Sequence, residues 1–402
     1  MRPRENRTPS VPTTVEAVIP LHDTDRPFRR TVASLLDQRA SLAEAGARLS
    51  IRIVCHNIAV DAVRSALGAD YADDEIVLEH LVDGILSPAG PKNHALARVT
   101  AEYVTFVDSD DYLEPYALMD WVGHAEAMGA DVVLAPIRTP DGSILKTPSL
   151  RPTKPAVLDP LKDGLATRSL PYGLLRTASL RRLGFRFTEG LRVGEDLEPT
   201  LRLLFGDCVT TYPYGGAAYS QTDDAAAGRV TAAMAPLREE FRWLDLLAAQ
   251  QWLSALPLTH RRSIALKLMR IHGVGALLRR GNTLSLSTHG SRSAPDDART
   301  LWNADEQESW LAIQRTIEGI AGGELAALSR ADARLAEAAG RTADPEGLAG
   351  AVSHHRSSTR RDELLTRRLT RVLTRDAIIR RYIRDKRQRS RGVFAAAPEP
   401  AR

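Results

Sequence analysis

Two clusters of acidic residues are the parts of this 402-residue sequence best suited to chemistry. The first consists of Asp108, Asp110 and Asp111, which follow the apolar run 103–107 (YVTFV). In an extended segment Asp108 and Asp110 project to the same side, because side chains alternate with a period of two. Two converging carboxylates can bind Mg²⁺ or Mn²⁺, with nucleotide phosphates completing the coordination shell. The alternative is that Asp110 or Asp111 caps a helix that begins near Pro115, which is the commoner use of Asp in such a place.

The second cluster consists of Glu195 and Asp196, which precede leucines at positions 197, 201 and 204. That spacing predicts a helix with one apolar face. Acidic residues are favourable at a helix N-terminus through the helix dipole alone. On the residues alone, this structural role is the preferred interpretation of the pair.

Lys92 and Asn93 lie at the start of a third candidate region, a helical pattern over residues 93–99. A lysine charge and the free amides of a helix N-terminus could together hold a diphosphate. A surface lysine that happens to precede a helix is an equally good interpretation.

The elements around these residues alternate between strands and helices, which is typical of an α/β fold with a mainly parallel sheet covered on both faces. Ligands of such sheets bind beyond the carboxyl ends of the strands, which is where Asp108 falls. The predicted strands span residues 15–20, 51–55, 76–81, 103–107 and 131–135, and helical patterns at 28–36, 60–67, 93–99 and 115–128 separate most of them.

Beyond about residue 224 strand patterns vanish, and Ala, Leu and Arg dominate. Because a single core seldom grows beyond roughly 250 to 300 residues, we predict two domains. These are an α/β domain over residues 12–225 and an all-α C-terminal domain over residues 226–402, preceded by a disordered N-terminus over residues 1–11. The predicted C-terminal helices span residues 231–253, 259–280, 297–320, 324–339 and 362–389.

Composition and charge exclude several classes of protein. The sequence is 43% hydrophobic and 26% charged, which is typical of globular proteins, and no run approaches the 18 apolar residues of a membrane span. Two cysteines without metal-like spacing favour a reducing cytoplasm. The net charge of +4 conceals a basic tail, residues 356–391, with 14 Lys or Arg against 4 Asp or Glu. Such a tail indicates contact with phosphates, either on an anionic membrane surface or in nucleic acid. A helix packed on the C-terminal domain, with its arginines in solvent, is at least as good an interpretation.

Three segments resemble, in order and spacing, the signature regions of family 2 glycosyltransferases of the GT-A fold. They are VEAVIPLHDTDRPFRRTVASLLDQ from residue 15, GPKNHALARVTAEYVTFVDSDDYLEP from residue 90 and GLRVGEDLEPTLRLLF from residue 190. The resemblance covers roughly residues 12–221. It implies transfer of a sugar from a nucleotide diphosphate donor, with inversion and with Mg²⁺ or Mn²⁺ as cofactor.

The resemblance also implies roles for individual acidic residues. Asp110 resembles the metal-binding aspartate, with Asp108 near the metal or the nucleotide ribose. Asp196 resembles the catalytic base, and Glu195 is the competing candidate. A base is needed because the acceptor hydroxyl has a high pKa and must lose its proton as the new bond forms.

The same resemblance places the loop over residues 20–23 along the nucleotide. Where the family usually carries an Asp-Asp-Gly-Ser stretch, this chain has His56 and Asn57, which leaves the base of the nucleotide open. Lys92 and Asn93 stand where the family commonly has Arg-Asn. The candidate substrate-binding residues are therefore Pro20, His22, Asp23, His56, Asn57, Asp83, Lys92, Asn93, Asp108 and Glu195.

A single-sugar, non-processive transfer to a hydroxyl of a glycan or lipid-linked envelope acceptor is predicted. Membrane helices and a complete Gln-x-x-Arg-Trp motif, which mark processive relatives, do not occur in the sequence. The predicted location is cytoplasmic, with possible attachment of the basic tail to the inner face of the cell membrane.

Two other functions are compatible with parts of the sequence. A phosphatase of the haloacid dehalogenase type also uses Asp-x-Asp after a strand, but usually with Thr or Val two places after the second Asp, where this chain has Tyr112. A non-catalytic protein could bind nucleic acid or a membrane through the basic tail. Because the tail has no aromatic residue except Tyr382, nucleic acid is not expected as a partner.

Overall fold

The computed structural model describes residues 12–71, 76–224, 234–290, 300–372, 374 and 377–394. The N-terminal segment expected to be disordered, residues 1–11, lies outside these ranges. So does residue 225, where the boundary between the two domains is predicted.

The described chain folds around a seven-stranded sheet in the order β3-β2-β1-β4-β8-β6-β9, beside a small sheet in the order β5-β10-β7. Neighbours among β3, β2, β1 and β4 are parallel, as are β6 and β9, whereas β8 is antiparallel to both of its neighbours. This confirms the predicted mainly parallel sheet. The strands are β1 (Thr13–Leu21), β2 (Ala47–His56), β3 (Ile76–Leu81), β4 (Tyr103–Phe106), β5 (Tyr112–Leu113), β6 (Val132–Leu134), β7 (Ile137–Arg138), β8 (Gly173–Arg176), β9 (Thr210–Thr211) and β10 (Tyr219–Ser220).

The helices of the first half connect these strands. They are α1 (Phe28–Leu36), α2 (Arg39–Glu44), α3 (Val60–Leu67), α4 (Ala89–Leu96), α5 (Ala117–Met128), α6 (Thr177–Leu183) and α7 (Leu197–Phe205), with single 3₁₀ turns at Ala69–Tyr71 and Leu165–Thr167.

The second half is helical, as predicted. Its helices are α8 (Leu237–Glu240), α9 (Arg242–Ala248), α10 (Gln251–Ala255), α11 (Leu258–Lys267), a π-helical turn (Leu268–Gly273), α12 (Val274–Gly290), α13 (Ala304–Ala321), α14 (Arg330–Ala339), α15 (Pro345–Arg356), α16 (Arg360–Leu364) and α17 (Ile378–Ser390), with a 3₁₀ turn at Leu369–Arg371.

Strand β1 is buried from Val15 to Leu21 because helices cover both faces of the sheet. Its alternate side chains belong to different apolar clusters. Val15 and Ile19 join the cluster under α1 and α5, whereas Val18 joins the opposite one. The cluster that contains Val18 extends without interruption into the C-terminal helices, where it includes Trp310. The C-terminal helices and one face of the large sheet therefore share one apolar cluster, whereas the cluster on the other face belongs to the α/β region alone.

The predicted helix over residues 362–389 is wrong. Helix α16 ends at Leu364, and Thr366 forms an isolated bridge with Ser329 at the start of α14. The backbone N–H of Arg330 donates to the carbonyl oxygen of Leu365 (2.9 Å). This pairing requires an extended backbone, which interrupts the amphipathic pattern of the basic tail before α17 begins.

Candidate functional site

The residues that follow β4 form a tight turn. The backbone N–H of Asp111 donates to the carbonyl oxygen of Asp108 (3.0 Å), so the expectation of an extended segment here is wrong. The hydroxyl of Tyr219 closes the turn, because it accepts from the backbone N–H of Asp108 (3.0 Å) and donates to Asp111 Oδ2 (2.8 Å). Tyr219 also stacks on Tyr172, with 4.1 Å between ring centroids.

Neither Asp110 nor Asp111 caps the helix that follows. Helix α5 begins after Tyr116 and has no side-chain cap. Asp111 instead accepts from the backbone N–H of Thr222 (2.9 Å) as well as from Tyr219. Burial and the neighbouring Asp108 raise the pKa of Asp111 to about 7 despite these donors. The role of Asp111 is to fix the turn that presents its two neighbouring carboxylates.

Asp108 is held by two partners at the end of β4. Lys92 Nζ lies 3.1 Å from Asp108 Oδ1, and the hydroxyl of Tyr172 donates to Asp108 Oδ2. Burial raises the pKa of Asp108, but Lys92 and Tyr172 outweigh it and hold that pKa below its ordinary value. Burial likewise lowers the pKa of Lys92, yet Asp108, Glu195 and Asp196 bring it above its usual value. Lys92 is therefore a buried ammonium that pairs with Asp108 and is also stabilised by the charges of Glu195 and Asp196.

Asp110 faces the loop that follows β1. Arg26 Nη2 lies 2.5 Å from Asp110 Oδ2, and Arg26 Nε donates to Ser109 Oγ (2.8 Å). Arg30 Nη2, at the start of α1, donates to the backbone carbonyl of Asp110 (2.6 Å). Arg26 from the loop after β1 and Arg30 from α1 thus tie this part of the chain to the acidic turn. Neither arginine stands out in the sequence, since both lie in a stretch with several charged residues.

The remaining predicted residues of this loop differ in exposure. Pro20 is buried in β1 and pairs with Val54 of β2, so its side chain supports the sheet. His22 lies at the surface. Partial desolvation and the positive charge of Arg26 lower its pKa. Asp23 accepts from the backbone N–H of Asp25 (2.9 Å), which shapes the loop locally.

His56, Asn57 and Asp83 meet at the carboxyl ends of β2 and β3. His56 Nε2 lies 2.8 Å from Asp83 Oδ1, and Asn57 Oδ1 accepts from the backbone N–H groups of Asp83 (3.1 Å) and Gly84 (3.0 Å). Asn57 has a φ of 58°, a left-handed conformation that Asn tolerates better than most residues. Residues up to 27 positions apart in sequence therefore form one polar corner at the carboxyl edge of the sheet.

Asn93 is buried and positions a loop. Its side chain accepts from the backbone N–H of Phe187 (2.9 Å) and donates to the carbonyl oxygen of the same residue (2.9 Å) and to Glu189 Oε1 (2.7 Å). The ring of Phe187 in turn lies 5.3 Å from Lys92 Nζ. Asn93 was predicted to bind substrate directly, but its amide is engaged by the protein in this structure.

Glu195 and Asp196 lie at the N-terminus of α7. Asp196 occupies the N-cap position but accepts no capping hydrogen bond, so capping does not account for its side chain. Burial, with the adjacent Glu195, raises the pKa of Asp196 to about 8, although Lys92 and Lys267 oppose the shift. Burial also raises the pKa of Glu195. An acidic residue with a pKa this close to neutrality is suited to exchange a proton with a ligand.

The C-terminal helices complete the surroundings of Asp196. A cavity of about 410 Å³ opens beside it and is walled on the helical side by Trp243 of α9, His272 of the π-helical turn and Arg279 of α12. The ring of Trp243 packs against Gly194, where an added Cβ would lie 2.8 Å from it. The sequence does not indicate this contribution, because a tryptophan in a helix rich in Ala and Leu is more often a core residue than part of a site.

The acidic turn offers a cation the carboxylates of Asp108 and Asp110, each of which is paired with a basic side chain in this structure. In the described part of the chain, no three His, Cys, Asp or Glu side chains converge in a way that would hold a metal by themselves. Mg²⁺ in nucleotide-dependent enzymes is commonly held by one or two carboxylates plus the substrate phosphates. The donor set therefore fits a cation that binds together with a phosphorylated ligand.

Residues 17–184 match the family model described as glycosyl transferase family 2. This segment, the greater part of the α/β region, is therefore similar to family 2 glycosyltransferases. The match includes the acidic turn and Lys92 but ends before Glu195 and Asp196. It decides against a haloacid dehalogenase-type phosphatase, the other enzyme considered from the sequence.

Two glycosyltransferases are similar to part of the chain. Poly(ribitol-phosphate) beta-N-acetylglucosaminyltransferase TarS of Staphylococcus aureus is 31% identical over 109 residues, or 27% of this chain and 19% of the relative. Poly(ribitol-phosphate) beta-glucosyltransferase of Bacillus spizizenii is 26% identical over 124 residues, or 31% of this chain and 19% of the relative. The chain thus spans about a fifth of the length of these two relatives.

The fold is shared with a solved structure, that of S. aureus TarS residues 1–349 in complex with UDP-GlcNAc. The two have a TM-score of 0.63 and 17% sequence identity, and the similarity covers 86% of this chain and 92% of the other. It therefore extends past residue 184 into the C-terminal helices. The chain has the GT-A-like fold followed by a helical region.

Proposed function

We propose that this chain is a non-processive, inverting glycosyltransferase that moves one sugar from a nucleotide diphosphate donor to a hydroxyl of a glycan or lipid-linked envelope acceptor. One observation carries the proposal. The buried Lys92 Nζ lies 3.1 Å from Asp108 Oδ1, and the charges of Glu195 and Asp196 also act on it. The residues expected at the donor phosphates and at the acceptor hydroxyl therefore act on the same ammonium group.

The donor would lie across the carboxyl ends of β1, β2 and β4. The polar corner of His56, Asn57 and Asp83 offers donors and acceptors for a nucleoside. Arg26 and Lys92 supply positive charge for the diphosphate. The TarS structure of similar fold contains UDP-GlcNAc, which supports a nucleotide sugar as the class of donor.

Asp108 and Asp110 would hold Mg²⁺ or Mn²⁺ together with the donor diphosphate. When bound, the cation would stabilise the negative charge that develops on the departing diphosphate. Arg26 already pairs with Asp110 at 2.5 Å, so the acidic turn is compensated by positive charge before a cation arrives. Charge compensation of this kind lowers the electrostatic cost of placing several carboxylates close together.

Asp196 would accept the proton of the acceptor hydroxyl as the hydroxyl oxygen attacks the anomeric carbon. Its carboxylate is free of capping hydrogen bonds and lies beside the 410 Å³ cavity, which is large enough for a sugar or polyol unit. The aromatic side chains of Phe241 and Trp243 line that cavity. We propose it as the acceptor site, and the names of the relatives support an envelope polymer as the class of acceptor.

No helix in the described ranges is both long and apolar enough to cross a membrane. Peripheral attachment through the basic tail stays a prediction. Tyr382 and Ile383 of α17 are 38% and 44% exposed and could contact lipid. The same helix contacts the α/β region, since Gln388 donates to the carbonyl oxygen of Leu150.

The proposal is tested by donor binding and turnover. Thermal unfolding of the parent should shift upward with Mn²⁺ and one member of a panel of UDP-, GDP-, TDP- and CDP-sugars, because a bound donor stabilises the folded state. Asp110→Asn should abolish the Mn²⁺-dependent part of this shift. Asp61→Asn, which changes an aspartate whose side chain is 93% exposed, is the matched control and should behave as the parent.

Turnover would be measured as the release of nucleoside diphosphate. The configuration of the anomeric carbon would be determined in the product. Retention of the donor's configuration would contradict the inverting mechanism. Donor and metal binding by the Asp110→Asn variant at the level of the parent would show that the cation site lies elsewhere.

A further inference from the structure

A second cavity lies where three separate parts of the chain meet. It has a volume of about 70 Å³, several times what one water molecule needs. Its walls come from the loop over residues 149–167, from α11 with the π-helical turn, and from α17 of the basic tail. The basic side chains of Lys267, Arg270, Arg381 and Arg384 line it, and no acidic side chain is among its lining residues in the described chain.

Lys267 is the least compensated of these groups. The residue is only 4% exposed, and its Nζ forms no hydrogen bond with any described residue. Ser149 Oγ, in the opposite wall, is also buried and without a described hydrogen-bond partner. A buried ammonium and a buried hydroxyl each carry a considerable desolvation cost unless they find a partner. Both therefore favour a ligand that accepts hydrogen bonds.

The acidic groups near the cavity do not neutralise it. Asp332 Oδ2 lies 3.7 Å from Arg270 Nε, which forms no hydrogen bond in the described chain, and Asp332 Oδ1 lies 2.9 Å from His355 Nε2. The charge of Asp196 acts on Lys267 only at longer range. The same is true of the charge of Asp385 on Arg270. The cavity retains an excess of positive charge.

Arg384 links the cavity to the position of the basic tail. Its Nη1 donates to the backbone carbonyl of Ser149 (2.8 Å), so α17 is fastened to the loop that forms the opposite wall. The tail is thereby a structural part of the cavity. An anion bound there would contact both walls and α11 at once.

We propose that this cavity is a binding site for one phosphate group, held by Lys267, Arg270 and Arg381 with Ser149 donating from the opposite wall. The site is separate from the proposed donor cleft, whose acidic turn contributes no lining residue, and it goes beyond the proposed function. The ligand is a phosphate ester or diester in solution, or the phosphate of a lipid headgroup. Arginine and lysine groups of this kind form strong charge-assisted hydrogen bonds with phosphate oxygens.

The test is thermal unfolding of the full chain in sodium phosphate against sodium chloride of equal ionic strength, without nucleotide or metal. Phosphate should raise the Tm of the parent by about 2 to 4 °C. Arg381→Gln should lose this shift, whereas Arg380→Gln, which removes the same charge from an exposed position of the same helix, should keep it. An equal shift in both variants, or no shift in the parent, would overturn the proposal.

Lys267→Met separates ligand binding from a structural role of this lysine. We expect the variant to lose the phosphate shift and to unfold at a higher Tm than the parent in phosphate-free buffer, because a buried amino group without a hydrogen-bond partner is removed. A lower Tm with the phosphate shift intact would contradict the proposal.

Three probes distinguish the sources of the phosphate. They are glycerol 3-phosphate, bis(glycerol) phosphate and phosphatidylglycerol vesicles, each compared in the parent and in Arg381→Gln. A shift with the soluble esters identifies a dissolved ligand, and a shift with vesicles alone identifies a headgroup. Failure of donor binding would leave these measurements unaffected, since none of them uses a nucleotide.

Discussion

Replacement of Gly194 by Ala should damage the proposed catalytic turn in a measurable way. Gly194 has a φ of +80°, where a residue with a Cβ costs about 1 to 2 kcal/mol more than glycine. An added Cβ would also lie 2.8 and 2.9 Å from ring atoms of Trp243, which is buried and cannot move freely. Overpacking of this kind costs about 1 to 3 kcal/mol. The total loss in the free energy of unfolding should be about 2 to 5 kcal/mol.

Gly190→Ala is the matched control. Gly190 has a similar φ of +75°, but nothing lies within 4 Å of its added Cβ. It should therefore lose only the conformational part, about 1 to 2 kcal/mol. Chemical denaturation of the two variants, monitored by tryptophan fluorescence, gives the difference that Trp243 causes.

A kinetic measurement checks that the clash reaches the site. Because Asp196 follows Gly194 by two residues, relief of the clash by a backbone shift should lower kcat in Gly194→Ala more than in Gly190→Ala. A double-mutant cycle with Trp243→Ala should recover much of the extra loss in stability. Equal stability losses at the two glycines, or no coupling with Trp243, would refute the reasoning.

Three further outcomes are expected. Asp196→Asn should lower kcat by about 10² to 10⁴ with donor affinity retained, and Glu195→Gln should lower it less. The kcat/KM of the parent should rise with pH to about 8, since the base works only when ionised and the pKa of Asp196 is raised to about 8. Tyr219→Phe should destabilise the fold by about 1 to 3 kcal/mol in urea denaturation, because Asp108 N–H and Asp111 lose a buried partner. Deletion of residues 377–402 should reduce co-sedimentation with anionic liposomes, and the binding of the parent to these liposomes should weaken with added salt. Unchanged binding after the deletion would exclude the membrane role.

Much of the α/β fold follows from local patterns. The first four predicted strands correspond to β1 to β4, and the third matches Ile76–Leu81 at both ends. Each is an apolar run whose length and surroundings favour a buried parallel strand. Strand β8 was missed, because it has only four residues and is antiparallel to both neighbours. Its place in the sheet depends on partners, not on its own pattern.

The acidic residues of the site were found from sequence because their types are distinctive and they follow recognisable elements. Their geometry was not found. The turn at Asp108 is fixed by Tyr172 and Tyr219, which lie 64 and 111 positions away in sequence. A hydrogen bond over such a separation leaves no periodic trace, and an isolated tyrosine does not indicate what it will contact.

The sequence by itself determined which segments could form strands and helices and where chemically useful side chains follow them, since both depend on nearest neighbours along the chain. Only the tertiary structure decided that Trp243 packs against the turn before Asp196, and that Lys267 lines a basic cavity while its charge acts on Asp196. It also decided that the basic tail breaks at Thr366 to pair with Ser329. The burial, charge compensation and backbone pairing behind these features arise only when distant parts of the chain pack together.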